Sequence, residues 1–562
     1  LNESPSLFPR RGMLRPWADM PVLLLLYRPV LVLSAFLFLI APLARSGLLN
    51  ASTLEELPLG HWAYPLIDQL QRRGHPGGLY FTDRPYTRGE VARYVMYLTE
   101  EEESGKLDPI EVGWLDRIRE EFAGEITRLR KGPVRGGDDV CWHVRLRAKP
   151  RGDFREDKAE LDPSYESIRF GGAVDPEAAA MGEAGGTLQY RDRFVIVDRF
   201  QADSDPVNEP SFPLRSRVDR AKYLRFPEAY LRGGVGPVSF LFGRSNLVWG
   251  GAPSDALTIS GISPPFDLFE YKLDLSSFRA SGFLAFLDRM AYDGDWIDRF
   301  LYGHRIDWRA KRWLQLGFSE TAVVTGSGRG VDFAYLNPLI TYQLIQHEEG
   351  SQQVDTDVYA SIDWALYPLS GLFVRGGFLV DDVYLIQSET NRRFPNQVAL
   401  DVGVDWSGYP LPAGSTFNVG YTRIGSFVYL HRGTATYYSH YDAPIGHPLG
   451  PDTDRWRFGL SFPATPGLDI GVEYLVRRRG ENRLEPGVSA EGHRGDPFPL
   501  GVIERRRAVE LRAGWFISSN IVLRGHFTYT RVSNLNNRPG DSDSIPELEM
   551  SLGYFMDLRG SL

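Results

Sequence analysis

From about residue 140 to the end of the chain, apolar and polar residues alternate in short runs. Val144, Leu146 and Ala148 alternate with Arg145, Arg147 and Lys149, and Val402, Val404 and Trp406 with Asp401, Gly403 and Asp405. Ile470, Val472, Tyr474 and Val476 oppose Asp469, Gly471, Glu473 and Arg477. Val509, Leu511, Ala513 and Trp515 oppose Glu510, Arg512 and Gly514, and near the end Leu548, Met550, Leu552 and Tyr554 oppose Glu547, Glu549, Ser551 and Gly553. Successive side chains of a strand point to opposite faces, so each run has one apolar face and one face carrying charges of both signs. Roughly eighteen such strands are predicted, joined alternately by short turns and long loops. The short turns fall near Gly233–Pro237, Ala310, Pro368–Gly371, Gly408–Gly414, Ala464–Gly467 and Ser518–Ser519; the long loops span about 203–220, 246–270, 325–354, 431–453 and 480–505. A soluble sandwich also alternates, but it mixes turn lengths. Only a closed barrel lets so many strands sit in lipid without an open edge. The expected fold is therefore mainly β: an up-and-down transmembrane β-barrel of about 18 antiparallel strands over residues 141–562.

The period changes before the barrel. Tyr64, Ile67 and Leu70 recur at helical spacing, and Thr87 with Glu90 forms a capping box ahead of Val91, Tyr94, Val95 and Leu98. Asp108-Pro109 with Glu111 opens another helix, and Leu115, Ile118, Phe122, Ile126 and Leu129 continue the stripe. Residues 47–131 thus read as a small α-helical module, and 132–140 as a Gly-rich linker. Within residues 1–46, four arginines precede an apolar run, Pro29 to Leu43, and the small residues Ala44 and Ser46 follow it. This reads as a signal peptide cleaved near Gly47; the bland alternative is a retained membrane helix, for which the run is short. An even strand count returns the C-terminus to the side of the module. That places the module in the periplasm and the long loops outside a Gram-negative outer membrane. The last strand carries Tyr554 and Phe555 but continues to Leu562.

Composition narrows the partners. The chain is 43% hydrophobic, 24% charged and 13% aromatic, with a formal net charge of −9, which argues against nucleic acid. Cys141 is the sole cysteine, so no intrachain disulfide and no cysteine-rich metal site is expected. No cofactor or metal is expected.

Sugar sites pair aromatic faces with planar polar groups. Trp249 with Asp255, Tyr335 with Asn337, and the loop Tyr437, Tyr438, Ser439, His440, Tyr441, Asp442 have that composition, with His447 close behind and His493 and Arg494 adding positive charge. Taken singly, each aromatic is better explained by loop packing or the upper girdle; the loop surface as a whole reads as a binding surface. Asp381 and Asp382 are adjacent on a strand, so they point to opposite faces and cannot share one site. Asp401 and Asp405 suit pairing with lumen arginines. Gly326–Gly330 leads into a loop and makes no phosphate cradle, and no spacing singles out a nucleophile with its base, so no enzyme is expected. Arg477–Arg479 and Arg505–Arg507 flank one loop, where lipopolysaccharide phosphates or an acidic glycan would meet them.

Several segments, in order, resemble the capsule assembly protein Wzi family. They are Phe242-Gly243-Arg244 with Trp249-Gly250; Leu301-Tyr302-Gly303-His304-Arg305; Tyr335-Leu336-Asn337-Pro338; Val380-Asp381-Asp382; and Pro444-Ile445-Gly446-His447-Pro448-Leu449-Gly450. The resemblance implies an eighteen-stranded outer-membrane lectin that binds and organises capsular or exopolysaccharide at the cell surface, with a periplasmic helical part. Separately, His61-Trp62-Ala63-Tyr64 and Tyr86-Thr87-Arg88-Gly89-Glu90-Val91 resemble one degenerate S-layer homology repeat. That resemblance would give the module peptidoglycan, or a periplasmic protein, as a partner; a plain bundle needs only to bury its stripes. The rival reading of the barrel is a porin for oligosaccharides or small solutes. It differs in one physical respect: its lumen must be open.

Overall fold

The computed structural model describes residues 52–131, 140–155, 177–203, 224–253, 255–292, 294–349, 356–382, 396–430, 434–484, 496–518 and 520–561. The expected signal segment, the linker up to residue 139, and His493 and Arg494 lie outside the described residues.

Eighteen antiparallel strands form the wall. They are β1 Val140–Arg155, β2 Glu177–Tyr190, β3 Phe194–Asp203, β4 Leu224–Val235, β5 Val238–Ser245, β6 Phe266–Leu275, β7 Phe278–Phe286, β8 Asp295–Lys311 and β9 Leu314–Gly326. There follow β10 Thr356–Leu369, β11 Leu372–Asp382, β12 Gln397–Trp406, β13 Thr416–Ile424, β14 Thr453–Thr465, β15 Leu468–Arg479, β16 Glu504–Ser518, β17 Ile521–Ser533 and β18 Ser542–Ser561. Each pairs with its neighbours in sequence, and β1 pairs with β18 from Cys141↔Ser561 to Arg155↔Glu547, which closes the barrel and leaves no edge. Links of two or three residues, such as 236–237, 276–277 and 466–467, with 407–415 as the longer exception, alternate with links of eight or more, such as 246–265, 327–355 and 425–452. The turn expected at Ala310 lies two residues later, at Arg312-Trp313, because β8 runs on to Lys311.

Parity sorts the faces. Outward side chains such as Phe240, Phe242, Ile306, Trp308, Phe318, Leu511 and Leu552 are exposed and form an apolar belt. Inward ones such as Arg232, Arg305, Asp307 and Asp363 are buried. Among the described residues no helix is long and apolar enough to cross a membrane; the strands are the elements built to do so.

The helical module is α1 Ala63–Arg72, α2 Arg88–Glu103, α3 Pro109–Glu121 and α4 Ala123–Lys131. Both capping boxes form: Thr87 with Glu90, and Asp108 with Glu111, the latter with Pro109 in the first turn. Ile67, Leu70, Val91, Val95, Leu98, Trp114, Leu115, Ile118 and Phe122 make its core. The module sits on the short-turn end. Trp62 meets the Phe516 ring edge-on at 5.6 Å, Arg117 lies over the same ring at 5.1 Å, and Arg73 donates to the Ser415 carbonyl at 3.2 Å.

Candidate functional site

Chain enters the lumen from both ends. Two stretches flanking α1, residues 52–58 and 79–87, enter from the short-turn end. Glu55 there pairs with Arg145 and stands 3.5 Å from Arg199. Glu56 accepts from Arg232 and from the Ser245 hydroxyl, both at 2.6 Å. Asp83 accepts from Arg279 at 2.8 Å. Arg305 of β8 is wholly buried; it donates to Asp363 and Asp307 at 2.7 Å and to the Thr82 hydroxyl at 3.0 Å. Burial raises the Glu55 carboxyl, but Arg145 and His143 outweigh it and hold the group well below the usual range.

From the opposite end, the 246–265 loop folds inward. Val248 and Trp249 pair in antiparallel register with Arg84 and Asp83, and Gly250, with φ of 106°, donates its N–H to the Thr82 carbonyl at 2.9 Å. Trp249 has no exposed surface; it meets Phe283 edge-on at 5.0 Å and lies against Gly303, where a Cβ would come 2.9 Å from its ring. Asp255 bridges Arg375 at 3.0 Å and Arg457 at 2.9 Å. Burial alone would raise its pKa, yet the two guanidinium groups hold it far below the ordinary carboxylate value.

Residues 425–430 and 434–452 close over this layer. Tyr429 donates its hydroxyl proton to the Leu257 carbonyl at 2.6 Å and accepts from the His447 N–H at 3.2 Å. The Ser260 N–H donates to the Ile445 carbonyl at 2.9 Å. Tyr438 lies 2.9 Å from the Thr321 hydroxyl and packs on Tyr359 with ring centroids 4.3 Å apart. Arg299 fastens the loop through three carbonyls: Ala435 and Tyr437 at 2.7 Å and Ser439 at 3.0 Å.

Among the described residues, one accessible patch at the long-loop end lies on the rim. Arg244 and Asp267 make an exposed two-bond pair at 2.8 and 2.6 Å. Beside it Tyr441 is exposed, in the left-handed region at φ 49°, with its N–H donated to Asp288 at 2.9 Å. His440 stacks on Phe266 at 5.1 Å and lies 3.3 Å from Asp288. Burial lowers the His440 pKa against the opposing pull of Asp288. Trp296 is exposed on the small hairpin Met290↔Ile297.

The sequence candidates therefore separate into three places. Trp249, Asp255, Tyr437, Tyr438 and His447 are buried in the plug, with Gly250, Gly446 and Gly450 in the same loops. Their aromatic faces meet protein, because both inward loops need apolar and planar groups to fill a polar lumen. Tyr335, Asn337 and Pro338 lie in the 327–355 link, where Tyr335 is buried against Tyr302 at 5.2 Å on the outside of the wall. Arg244, His440 and Tyr441 come together at the rim, next to Gly243. Asp381 accepts the Tyr429 N–H at 2.8 Å, and Asp382 ends β11. Asp401 pairs with lumen Arg375 at 3.1 Å. The arginine runs also divide by parity: Arg477 and Arg506 share Glu504 inside, whereas Arg505 and Arg507 are exposed outside. Sequence reasoning did not select Asp267, Asp288 or Trp296. The outward parity of Asp267 at the end of its strand was the one available signal. Among the described residues no group of three or more His, Cys, Asp or Glu is placed to hold a metal ion.

A closed eighteen-stranded wall with an apolar belt outside and an ion-paired plug inside defines an integral-membrane β-barrel whose lumen is filled across part of its section, while inward Arg512 and, in part, His526 stay exposed on the β16–β17 side. The chain belongs to the capsule assembly protein Wzi family, whose model matches residues 146–544. Among solved structures it is similar to Wzi of Escherichia coli, described as an outer-membrane protein involved in group 1 capsule assembly and a carbohydrate-binding β-barrel. The two are 13% identical over 89% of this chain and 99% of that one, with a TM-score of 0.56. It also matches OccD3 of Pseudomonas aeruginosa (10% identity, 76% and 95% coverage, TM-score 0.42) and OprD of the same organism (10%, 75% and 97%, 0.43). No curated protein sequence matches the chain.

Proposed function

We propose that this protein holds capsular or exopolysaccharide at the surface of a Gram-negative outer membrane, with the long loops outward and the helical module in the periplasm. Family membership and the carbohydrate binding described for the Escherichia coli protein support the ligand class. The observation that carries this reading over a channel is the ladder between Asp83 and Trp249, where chain from the two ends of the barrel meets inside the lumen. Chain crossing the lumen in this way works against solute passage, and a binding function then falls to the rim.

At that rim, Tyr441 and Trp296 supply flat apolar faces for pyranose rings. The Arg244–Asp267 pair supplies planar donors and acceptors for hydroxyls or acidic sugars. Such a patch binds one sugar weakly, and a polymer presenting many copies of the repeat makes up the affinity by avidity. Arg505 and Arg507 on the outer face suit lipopolysaccharide phosphates. Residues 1–46 act as the export signal, and the module serves as a plug support rather than a wall anchor.

The test is retention of the host's own surface polysaccharide by the purified barrel, compared with an unrelated neutral glucan, together with surface glycan in a deletion strain. Equal retention of both polymers, with glycan attachment intact in the deletion strain, would sink the proposal.

A further inference from the structure

The outer wall carries a patch that the rest of the belt does not. On β8 the outward residues are Phe300, Tyr302, His304, Ile306 and Trp308. Ile306 and Trp308 are exposed, whereas Tyr302 and Phe300 are buried. Leu284, Ala322, Val324 and Val358 on the neighbouring strands are outward by the same parity and are buried as well. What covers them is residues 327–345 of the link after β9, which turn back over the rim and lie down against the outside of the barrel. Its Tyr335, Tyr342 and Ile345 pack onto this patch.

The link is fastened by polar contacts with outward side chains. The Asp332 N–H donates to the Tyr302 hydroxyl at 2.9 Å, the Tyr342 N–H to Glu320 at 2.9 Å, and the Tyr271 hydroxyl to the Leu336 carbonyl at 3.3 Å. Glu320 is 3.2 Å from His304 on the adjacent strand, and the Tyr342 ring lies 4.4 Å from the His304 ring. The next outward pair along the same two strands is Ile306–Phe318, open and apolar. One residue pair per outward row is about 7 Å of strand. The foot of the flap therefore stands one row from bare lipid-facing wall, and it roofs a polar pair that would otherwise meet hydrocarbon.

The face that the flap turns away from the wall is mostly apolar, with Asn337, Thr341 and Gln343 as its exposed polar residues. Phe333, Leu339, Ile340 and Leu344 are exposed, Leu339 at 90% and Phe333 at 78%. In an aqueous surface loop these positions are costly to leave open. Here they continue the belt laterally. We infer that residues 331–345 form a flap embedded in the adjoining leaflet, with Phe333, Leu339, Ile340 and Leu344 against lipid acyl chains. The flap is part of the membrane-facing wall and takes no part in holding glycan. The inference rests on the barrel spanning a bilayer and is independent of what the rim binds.

The sole cysteine, Cys141, is buried, so introduced cysteines take a nitroxide label selectively. Leu339→Cys and Leu344→Cys are labelled in lipid nanodiscs. Ile306→Cys serves as the belt reference and Lys106→Cys, on the module, as the water reference. Both flap labels are expected to collide freely with oxygen and to be shielded from a water-soluble nickel chelate, as at Ile306. Access of the chelate at the level seen for Lys106 overturns the inference and puts the flap in water. Shielding from both reagents overturns it too, and assigns the face to a second copy or another protein. Chelate access at Ile306 itself would instead overturn the membrane-spanning reading of this wall.

Discussion

Asp83 and Trp249 are cross-strand partners in a two-residue antiparallel ladder deep in the barrel. One comes from the segment that precedes α2, the other from a loop at the opposite end. The ladder joins the module to the plug, so the barrel is expected to be electrically silent. In planar bilayers the full-length protein should show no steady pore current, and removal of residues 52–87 should create one. A steady conductance from the intact protein would return the porin reading.

Trp249 fills the centre of that plug without exposed surface. Its replacement by Ala leaves a large cavity among Phe283, Gly303 and Arg305, and such truncations cost about 3–5 kcal/mol. Trp249→Ala should unfold at clearly lower urea concentration in detergent, and Trp249→Phe should lie between it and the native protein. An unchanged midpoint for Trp249→Ala would mean that the loop does not pack as described.

Arg305 holds two carboxylates and the Thr82 hydroxyl together. Arg305→Met strands Asp307 and Asp363 in a closed space, which costs about 3–5 kcal/mol for loss of one partner of a buried ion pair. The triple variant Arg305→Met, Asp307→Asn, Asp363→Asn removes the stranded charge and should recover much of the loss. The comparison of the two denaturation curves separates charge from packing.

Acid should loosen the module. Glu111 is raised by burial, but His75, Arg73 and the Asp108 N–H outweigh that and hold it at about 2. Its usual value is about 4.3, so roughly two pKa units of stabilisation, on the order of 3 kcal/mol, are present above about pH 4.3. That contribution is lost as pH falls from about 4.3 to about 2. Glu90, held low by Arg279 and the Thr87 N–H against burial, moves the same way. Protection factors in α1 to α3, with the intrinsic exchange rate divided out, should fall over this window, and in Glu111→Gln they should be lower at neutral pH with a flatter pH response.

The rim should carry the glycan contacts. Tyr441→Asn keeps a residue that tolerates the left-handed backbone while removing the ring; Arg244→Gln removes the charge of an exposed pair. Each should weaken retention of the host polysaccharide roughly tenfold, the equivalent of about 1.4 kcal/mol. Both should leave the unfolding midpoint within about 0.5 kcal/mol of native, as surface changes usually do. Retention equal to native in both variants would exclude this patch.

Much of the scaffold was legible along the chain. The alternation at Val144–Lys149 or Leu548–Tyr554 reports a strand because a pleat repeats every two residues. The capping boxes at Thr87 and Asp108 report helix starts because the side chain and the amides it satisfies are three residues apart. The candidate site was less legible. Trp249, Tyr438 and His447 have the composition of a sugar site, and the same flat, polar-edged side chains also suit a lumen plug. Tyr335 looked like a surface aromatic and is instead pressed onto the outside of the wall by Tyr302.

The sequence by itself determined the barrel, its closure between the first and last strands, and which links share an end, since all three follow from short-range periodicity and parity. Only the tertiary structure decided whether the inward charges line a pore or a plug, and which loop aromatics remain open. Those outcomes rest on partners far apart in the chain, such as Arg305 and Thr82, 223 positions apart. A buried charge is tolerable only where its partner arrives in space, and no local pattern records that arrival.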